Sequence, residues 1–234
     1  MQRPDELHFW HAVNSTEVLV MPTRRLETFG ATVLNYHMLS ELMDTVNQVR
    51  IREGRIHAYR PQVLTPAHFA SCLLEGFGHD AEEYVHWLRD NAADLQFLRY
   101  GFAVKKEVVS EQTVTEDIRS VAERVKRQVQ ERDDPLSAVL IGVDQPWEVC
   151  LIKLMVDVVR GSAPGNYREL KRSRMLDEEG GVPRAVRLEL ESDFQAAGRN
   201  PSLVRALGSK LQRYGLFEDY QDRFFALLKA AGMQ

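Results

Sequence analysis

The sequence has few of the features that identify a function directly. Only two cysteines occur among the 234 residues. Cys72 and Cys150 each lie in an apolar run without a neighbouring thiol or histidine, which favours buried free thiols over disulfides or metal ligands. No apolar stretch approaches the roughly 18 residues of a membrane span, and no early segment resembles a signal peptide. These absences predict a soluble cytoplasmic protein with no membrane association.

Motifs of catalysis, metal binding and nucleotide binding are missing as well. Ser40 lacks the glycine context of a serine hydrolase nucleophile. Residues 161–166, Gly-Ser-Ala-Pro-Gly-Asn, lack the lysine of a phosphate-binding loop and instead predict a linker. His8 and His11 have a spacing that could place both on one side of a helix, but no third metal ligand stands next to them. We therefore predict neither a metal nor another cofactor.

The composition that is present is that of an ordinary globular protein. Hydrophobic residues make up 44%, aromatic residues 9% and charged residues 27% of the chain, close to globular averages. A chain of this length can bury a substantial core as one large or two small domains. The formal net charge of -4 argues against a whole-protein electrostatic grip on DNA, although it permits a local basic face.

The hydrophobic patterns predict an α+β fold, with a mixed β-sheet flanked by helices and a C-terminal helical section. The apolar run from Ala138 to Val143 predicts a central strand covered on both faces. Helix starts are predicted at Thr65 and Asp80, and further helices follow Pro183, Asn200 and Leu216. We expect an α+β domain over residues 1–162 with a helical section over residues 163–234 packed on it, or a single domain containing both.

The segment from Val49 to Pro61 predicts a β-hairpin. Two runs that mix β-branched and basic residues flank the pair Glu53-Gly54, and a tight turn at this pair would require a positive φ at Gly54. Before it, we expect a strand from Thr32 to about Leu39, followed by a turn or a short helix over residues 41–47.

Basic residues give this predicted hairpin a possible binding surface. A two-stranded ribbon carrying Arg50, Arg52, Arg55 and Arg60 could contact phosphates or enter a major groove. Alternating arginines are equally typical of the solvated face of an edge strand, where they hinder unwanted pairing. Nucleic-acid binding is therefore one alternative function.

Four other residues form the most chemistry-like group. His37, Glu41, Asp44 and His57 combine imidazoles, which titrate near neutral pH, with carboxylates that could orient them. They converge only if the Thr32 strand lies beside the hairpin. A small metal-dependent hydrolase is the second alternative.

The absence of stronger motifs favours a third class of function. We expect a non-catalytic interaction or regulatory protein that self-associates or binds a protein partner. The last predicted helix offers a candidate subunit interface because its aromatic stripe is wide, although packing within the chain is the default explanation. The stripe consists of Phe217, Tyr220, Phe224 and Phe225.

Overall fold

The computed structural model describes residues 4–42, 47–59, 62–63, 74–75, 100–101 and 104–232. Packing divides the chain into two compact units. Among the described residues, the first unit contains those up to residue 59, residues 74–75 and residues 104–166, and the second contains residues 62–63, 100–101 and 167–232. The helices predicted from Thr65 and Asp80 lie outside the described residues. The domain boundary predicted after residue 162 stays a prediction.

The fold is α+β, as predicted, with a mixed sheet in the first unit and helices in the second. Within the described part of the chain, no helix combines the length and apolarity needed to cross a membrane. The elements are, in chain order, α1 (Pro4–Ser15), β1 (Glu17–Val20), β2 (Thr32–Glu41), β3 (Gln48–Ala58), β4 (Gln62–Val63), β5 (Leu74–Glu75), β6 (Tyr100–Gly101), β7 (Val104–Thr115), α2 (Ile118–Arg132), β8 (Ser137–Gly142), α3 (Trp147–Arg172), β9 (Glu178–Glu179), β10 (Val182–Pro183), α4 (Arg184–Arg199), α5 (Val204–Tyr214) and α6 (Phe217–Ala230).

The sheet of the first unit has the strand order β1-β8-β2-β3-β7-β5. β8 runs parallel to β2, and β5 runs parallel to β7, whereas the other neighbours are antiparallel. Ala138, Val139 and Leu140 of β8 are fully buried. The predicted central strand is thereby confirmed, because side chains that alternate between two faces are all inaccessible only when both faces are covered.

Helices cover the two faces of this sheet. On one face, Val121, Val125 and Val129 of α2 pack with Leu39 and Ile51. Their spacing of four places them on one side of α2. The helix thus buries its single apolar stripe against the sheet, as its periodicity predicts.

The other face lies against the start of α3. A Cβ built at Gly142 would lie 2.6 Å from Cys150 Sγ on α3 and 2.8 Å from Met38 Cε on β2. Cys150 is completely buried, and burial raises the pKa of its thiol. Glycine at the end of β8 therefore allows α3 to approach the sheet closely.

The hairpin predicted around Glu53-Gly54 is wrong. Residues 48–58 form one continuous strand, β3, which pairs with β2 and β7. Gly54 is not among the residues with positive φ. It lies opposite Tyr36, and a Cβ there would come within 2.5 Å of the Tyr36 hydroxyl oxygen. Glycine is required at this position for space rather than for a turn.

The actual hairpin joins β2 to β3. The strand predicted from Thr32 to Leu39 is confirmed and extends to Glu41. Beyond it, the Leu42 N–H donates to Gln48 O at 3.0 Å, and Asn47 adopts a left-handed φ of 56°. Residues 43–46, within the predicted turn or short helix, lie outside the described residues.

The linker predicted at residues 161–166 is also wrong. This segment lies inside α3, which continues through Pro164 to Arg172. The small residues serve to admit another part of the chain: the Arg25 guanidinium occupies the position that a Cβ at Gly165 would need. Glycine and proline therefore do not mark a break in the helix here.

A buried loop residue, Leu26, is bound by the same part of α3. Ser162 Oγ accepts from the Leu26 N–H at 3.0 Å and donates to Val158 O at 2.8 Å. With its amide oriented to satisfy both acceptors, Asn166 donates to Ser162 O at 3.0 Å and to Leu26 O at 3.2 Å. Both backbone polar groups of buried Leu26 are thus paired.

The second unit contains the predicted C-terminal helical section. α4 begins directly after Pro183, and α5 ends at Gly215, which has the left-handed φ of 66° typical of a helix C-terminus. The Asn200 side chain accepts from the Ser202 N–H and caps the short helical turn that precedes α5. The helix boundaries that capping residues predict are confirmed in this region.

Candidate functional site

A cluster of polar side chains in the described part of the first unit lies on the sheet face opposite α2. Pairing of Ser40 with Arg50, and of Met38 with Arg52, places both arginines on the same face as Ser40. Glu111 of β7 pairs with Arg52 from the other side. Asp144 follows β8 in the segment before α3. We call this set the ion-pair cluster: Ser40, Arg50, Arg52, Glu111 and Asp144.

The cluster balances its charges internally. Asp144 accepts from Arg50 Nη1 at 3.1 Å, from Arg52 Nη2 at 2.9 Å and from Ser40 Oγ at 3.1 Å. Glu111 lies 3.3 Å from Arg50 Nε and 3.2 Å from Arg52 Nε. The Arg52 side chain is only 4% exposed, so its charge is stable there only with these partners. The guanidinium donors are therefore directed at protein carboxylates.

Trp147, the first residue of α3, contacts two cations. The Arg52 guanidinium carbon is 4.8 Å and Lys106 Nζ is 4.2 Å from the centroid of its ring. Lys106 also pairs with Glu148 at 3.0 Å. Next to them, burial and then the charge of Glu148 raise the pKa of Tyr36 well above its usual range. These contacts fix the beginning of α3 on the sheet.

The arginines proposed for nucleic-acid binding do not form a basic ribbon. Arg50 and Arg52 belong to the ion-pair cluster, whereas the exposed Arg55 lies on the opposite face of β3 because side chains alternate along a strand. Arg60 lies outside the described residues. Binding of nucleic acid by these arginines stays a prediction, without the hairpin on which it was based.

His37 contacts a carboxylate that the sequence analysis did not select. Its Nδ1 lies 2.8 Å from Glu53 Oε1, and the Ser110 hydroxyl donates to Glu53 Oε2 at 3.1 Å. The carboxylate therefore lies between the imidazole and the hydroxyl. In a hydrolytic triad the imidazole itself contacts the hydroxyl, so this arrangement does not activate Ser110 as a nucleophile.

The other members of the predicted catalytic group lie elsewhere. His57 Nε2 is 3.1 Å from Glu107 Oε2, and the pairing position of His57 on β2 is four residues from His37, about 13 Å along the strand. Glu41 is exposed at the end of β2, and Asp44 lies outside the described residues. The structure brings neither Glu41 nor His57 to His37, and a catalytic role for the group stays a prediction.

The described residues contain no group of three or more His, Cys, Asp or Glu side chains that could hold a metal ion. His8 and His11 do lie on one helix, α1. The exposed His11 Nδ1 is 3.4 Å from the hydroxyl of Ser15, one turn further along.

The aromatic stripe of α6 has an inner half that packs within the second unit. The Tyr220 ring stacks on Phe194 of α4 with centroids 5.9 Å apart, and Phe224 is 8% exposed. A Cβ at Gly208 of α5 would lie 2.8 Å from Phe224 Cζ. Leu227 lies beside Gly198 of α4. The inner half is thus ordinary core.

An ion pair between Arg223 and Glu191 joins α6 to α4 beside these aromatic contacts. Arg223 donates from Nη1 and Nη2 to the two carboxylate oxygens of Glu191 at 2.7 and 2.9 Å, and its guanidinium lies 4.2 Å from the Phe194 ring centroid. The hydrogen bonds from Arg223 lower the pKa of Glu191. The Arg223 side chain therefore binds α4 through both Glu191 and Phe194.

The outer half of the stripe is only partly covered. We call Phe217, Phe225 and Leu228 the outer stripe, since a rotation of 100° per residue brings them to one side of α6. Phe225 is 54% exposed, and Phe217 and Leu228 are half-buried. The Phe225 ring contacts the rings of Phe217 and Phe224 edge-on, with centroids 6.2 Å apart in both cases.

The sequence predicts the aromatic stripe but not the ion-pair cluster. Asp144 and Glu111 were missed because their partners Arg50 and Arg52 are far away in the chain. The one available signal is that Asp144 follows a buried strand at its carboxyl end, a position at which polar side chains often gather. Comparison with models of known protein families, with curated proteins and with solved structures finds no match to this chain.

Proposed function

We propose that this chain is a non-catalytic interaction protein that self-associates through the outer stripe of α6. The observation that carries the proposal is the 54% exposure of Phe225 beside two further apolar side chains, on a helix whose inner half is already packed. Aromatic side chains are enriched in the cores of protein interfaces. Covering Phe225 with another protein surface would remove this apolar area from water.

The polar groups of the first unit support a binding protein rather than an enzyme. The predicted catalytic histidines do not converge, because His37 contacts Glu53 and His57 contacts Glu107 at separate positions of the sheet, and the ion-pair cluster neutralises its own charges. We place the protein in the cytoplasm, a location in keeping with the buried free thiol of Cys150.

A second copy of the chain is a suitable occupant for this surface. A two-fold axis presents the same patch on both subunits, and an apolar stripe along a helix is complementary to itself. The 14 residues of α6 span about 21 Å. A contact limited to one side of this helix buries less area than the roughly 800 Å² per partner of a standard interface. We therefore expect association that depends strongly on protein concentration.

Sedimentation velocity of the full chain from micromolar to near-millimolar concentration tests this proposal. The average mass should rise with concentration, and Phe225→Ser should weaken association about tenfold or more, as expected for an aromatic residue central to an interface. Phe29→Ser is the matched control because Phe29, in the first unit, is also 54% exposed.

Circular dichroism should show that both variants remain folded. A wild-type chain that stays monomeric throughout the concentration range would refute the proposal. So would equal association of the Phe225→Ser and Phe29→Ser variants.

A further inference from the structure

We infer that the two copies pack their α6 helices antiparallel about a two-fold axis, with Glu218 of each copy paired with Lys229 of the other. This inference rests on the proposed self-association and adds the partner arrangement. It follows from where the charges of α6 lie relative to the outer stripe.

Glu218 and Lys229 border the outer stripe on the same side. At 100° per residue, Glu218, Phe225 and Lys229 fall within about 40° of one another around the helix. Both charged residues are exposed. The opposite border of the stripe is the inner half of α6, which packs on α4 and α5. One flank of the stripe is thus open, and it carries an acidic residue at one end and a basic residue at the other.

This distribution favours an antiparallel pair. When two helices pack antiparallel about a two-fold axis, the same flank of each helix faces its own copy, and opposite ends meet. Glu218 then faces Lys229 of the second copy, and the contact occurs twice. In a parallel pair residues at the same height meet, so Glu218 and Lys229 of the two copies would lie at opposite ends and could not pair. Antiparallel packing also aligns the helix dipoles favourably.

The charge pairing fixes the register of the two helices. If Glu218 faces Lys229 of the other copy, the two-fold axis passes between Arg223 and Phe224. Phe225 then lies close to the centre of the interface, where exposed aromatic residues contribute most to binding. Asp222 of both copies also lies near the axis, so these like charges oppose association. Asp222→Asn should therefore strengthen association about twofold.

Charge exchange tests the pairing in sedimentation experiments at low ionic strength. Glu218→Lys or Lys229→Glu alone turns both ion pairs into repulsive contacts and should weaken association about tenfold. The double variant should recover wild-type association, and an equimolar mixture of the two single variants should form mixed dimers. Added salt should reduce all these differences.

Asp219→Lys is the matched control for Glu218→Lys. Both residues lie in the first turn of α6, so both changes oppose the helix dipole to a similar degree. Asp219 points away from the outer stripe, and its replacement should leave association unchanged. Equal effects of the two substitutions would overturn the pairing.

Spin labels at Ala230, the exposed last residue of α6, test the direction of the helices. In the antiparallel register Ala230 lies at the height of Phe217 of the other copy, so the two labels are separated along the axis by nearly the whole helix, about 20 Å. Ala230 lies on the side of α6 away from the outer stripe. In parallel helices the labels would therefore be separated only across the pair, by more than the roughly 10 Å between helix axes but without the axial separation of about 20 Å. The shorter distance would overturn the inference.

These measurements distinguish the register of the two helices from self-association itself. If the wild type associates and Phe225→Ser weakens it, but Glu218→Lys and Lys229→Glu have no effect, the antiparallel register is wrong while the proposed function stands. If the wild type is monomeric, both fall together.

Discussion

Gly54 on β3 lies directly against the hydroxyl group of Tyr36 on β2, so close that a Cβ at Gly54 would be 2.5 Å from the hydroxyl oxygen. Tyr36 is 1% exposed. The backbone of β3 at Gly54 thus packs directly against the Tyr36 side chain. A residue that resembles a turn signal in the sequence is instead a steric requirement of the sheet interior.

Gly54→Ala should therefore be strongly destabilising. The added methyl group overlaps the Tyr36 ring and the backbone of β7, neither of which can move without disturbing the sheet. We expect the free energy of unfolding, measured with urea, to fall by about 3 kcal/mol, the upper part of the range for overpacked sites. A loss below about 1 kcal/mol would show that Tyr36 can be displaced.

Gly161→Ala should have the opposite effect. Gly161 lies within α3, is exposed, and has no atom within 4 Å of the position of an added Cβ. Alanine restricts the unfolded backbone and is the better helix former by about 1 kcal/mol. Urea unfolding should show a gain of this size, and a loss would contradict the continuity of α3 through residues 161–166.

Removal of the Asp144 carboxylate should destabilise the first unit. Asp144→Ala removes the more buried of the two carboxylates that Arg50 and the buried Arg52 share, and Glu111 alone remains. We expect a loss of about 3 kcal/mol, the lower end of the range for breaking a buried ion pair, because one partner is retained. The comparison is Glu17→Ala, which removes the exposed pair with Arg119 and should change stability by less than about 1 kcal/mol. Thermal and urea unfolding of both variants measure the difference. Similar effects would mean that the ion-pair cluster contributes nothing beyond a surface pair.

Asp134 should contribute pH-dependent stability at the turn before β8. Hydrogen bonds from the Leu136 N–H, first of all, and from Ser137 Oγ and Asn35 Nδ2 lower the pKa of its carboxyl group below the ordinary 3.8. Because the pKa is lower in the folded state, this stabilisation is present above the ordinary pKa and is lost as the pH falls through the folded value.

The measurement compares Asp134→Asn with the wild type across a range of pH. The wild type should be the more stable at neutral pH, and the difference in free energy of unfolding should shrink as the pH falls below 3.8. A difference that does not change with pH would contradict the assignment of this effect to the charged carboxylate.

Sequence patterns predict those parts of the fold that depend on local periodicity. Val121, Val125 and Val129 recur at helical spacing and form the buried side of α2. The uninterrupted apolar run of β8 requires cover on both faces, and the sheet supplies it. In these elements a short segment contains all the information needed, because its own side chains determine which face is buried.

The two errors in the predicted fold have one physical origin. The sequence around Gly54 and Gly165 predicts special backbone conformations, a turn and a linker. In the structure both are glycine because a side chain from a distant part of the chain, Tyr36 or Arg25, occupies the space of a Cβ. A single sequence gives no sign of such neighbours, so glycine alone does not distinguish flexibility from close packing.

The ion-pair cluster was unpredictable for a related reason. The basic character of Arg50 and Arg52 is visible in the sequence, and it suggested a surface for acidic ligands. Their partner Asp144 is more than 90 residues away along the chain, and only the parallel pairing of β2 with β8 brings it near. The sequence shows that Arg50 and Arg52 are charged, but not which carboxylate pairs with them in the fold.

The position of β8 between β1 and β2 has a consequence for synthesis on the ribosome. The two early strands are made first, but the strand that lies between them is complete only at Gly142. Until that residue has emerged, β1 has no sheet to join, and one edge of β2 remains open. The nascent chain therefore carries an unpaired edge of β2 from the synthesis of Glu41 until Gly142 has emerged, and unpaired strand edges of this kind are prone to aggregation.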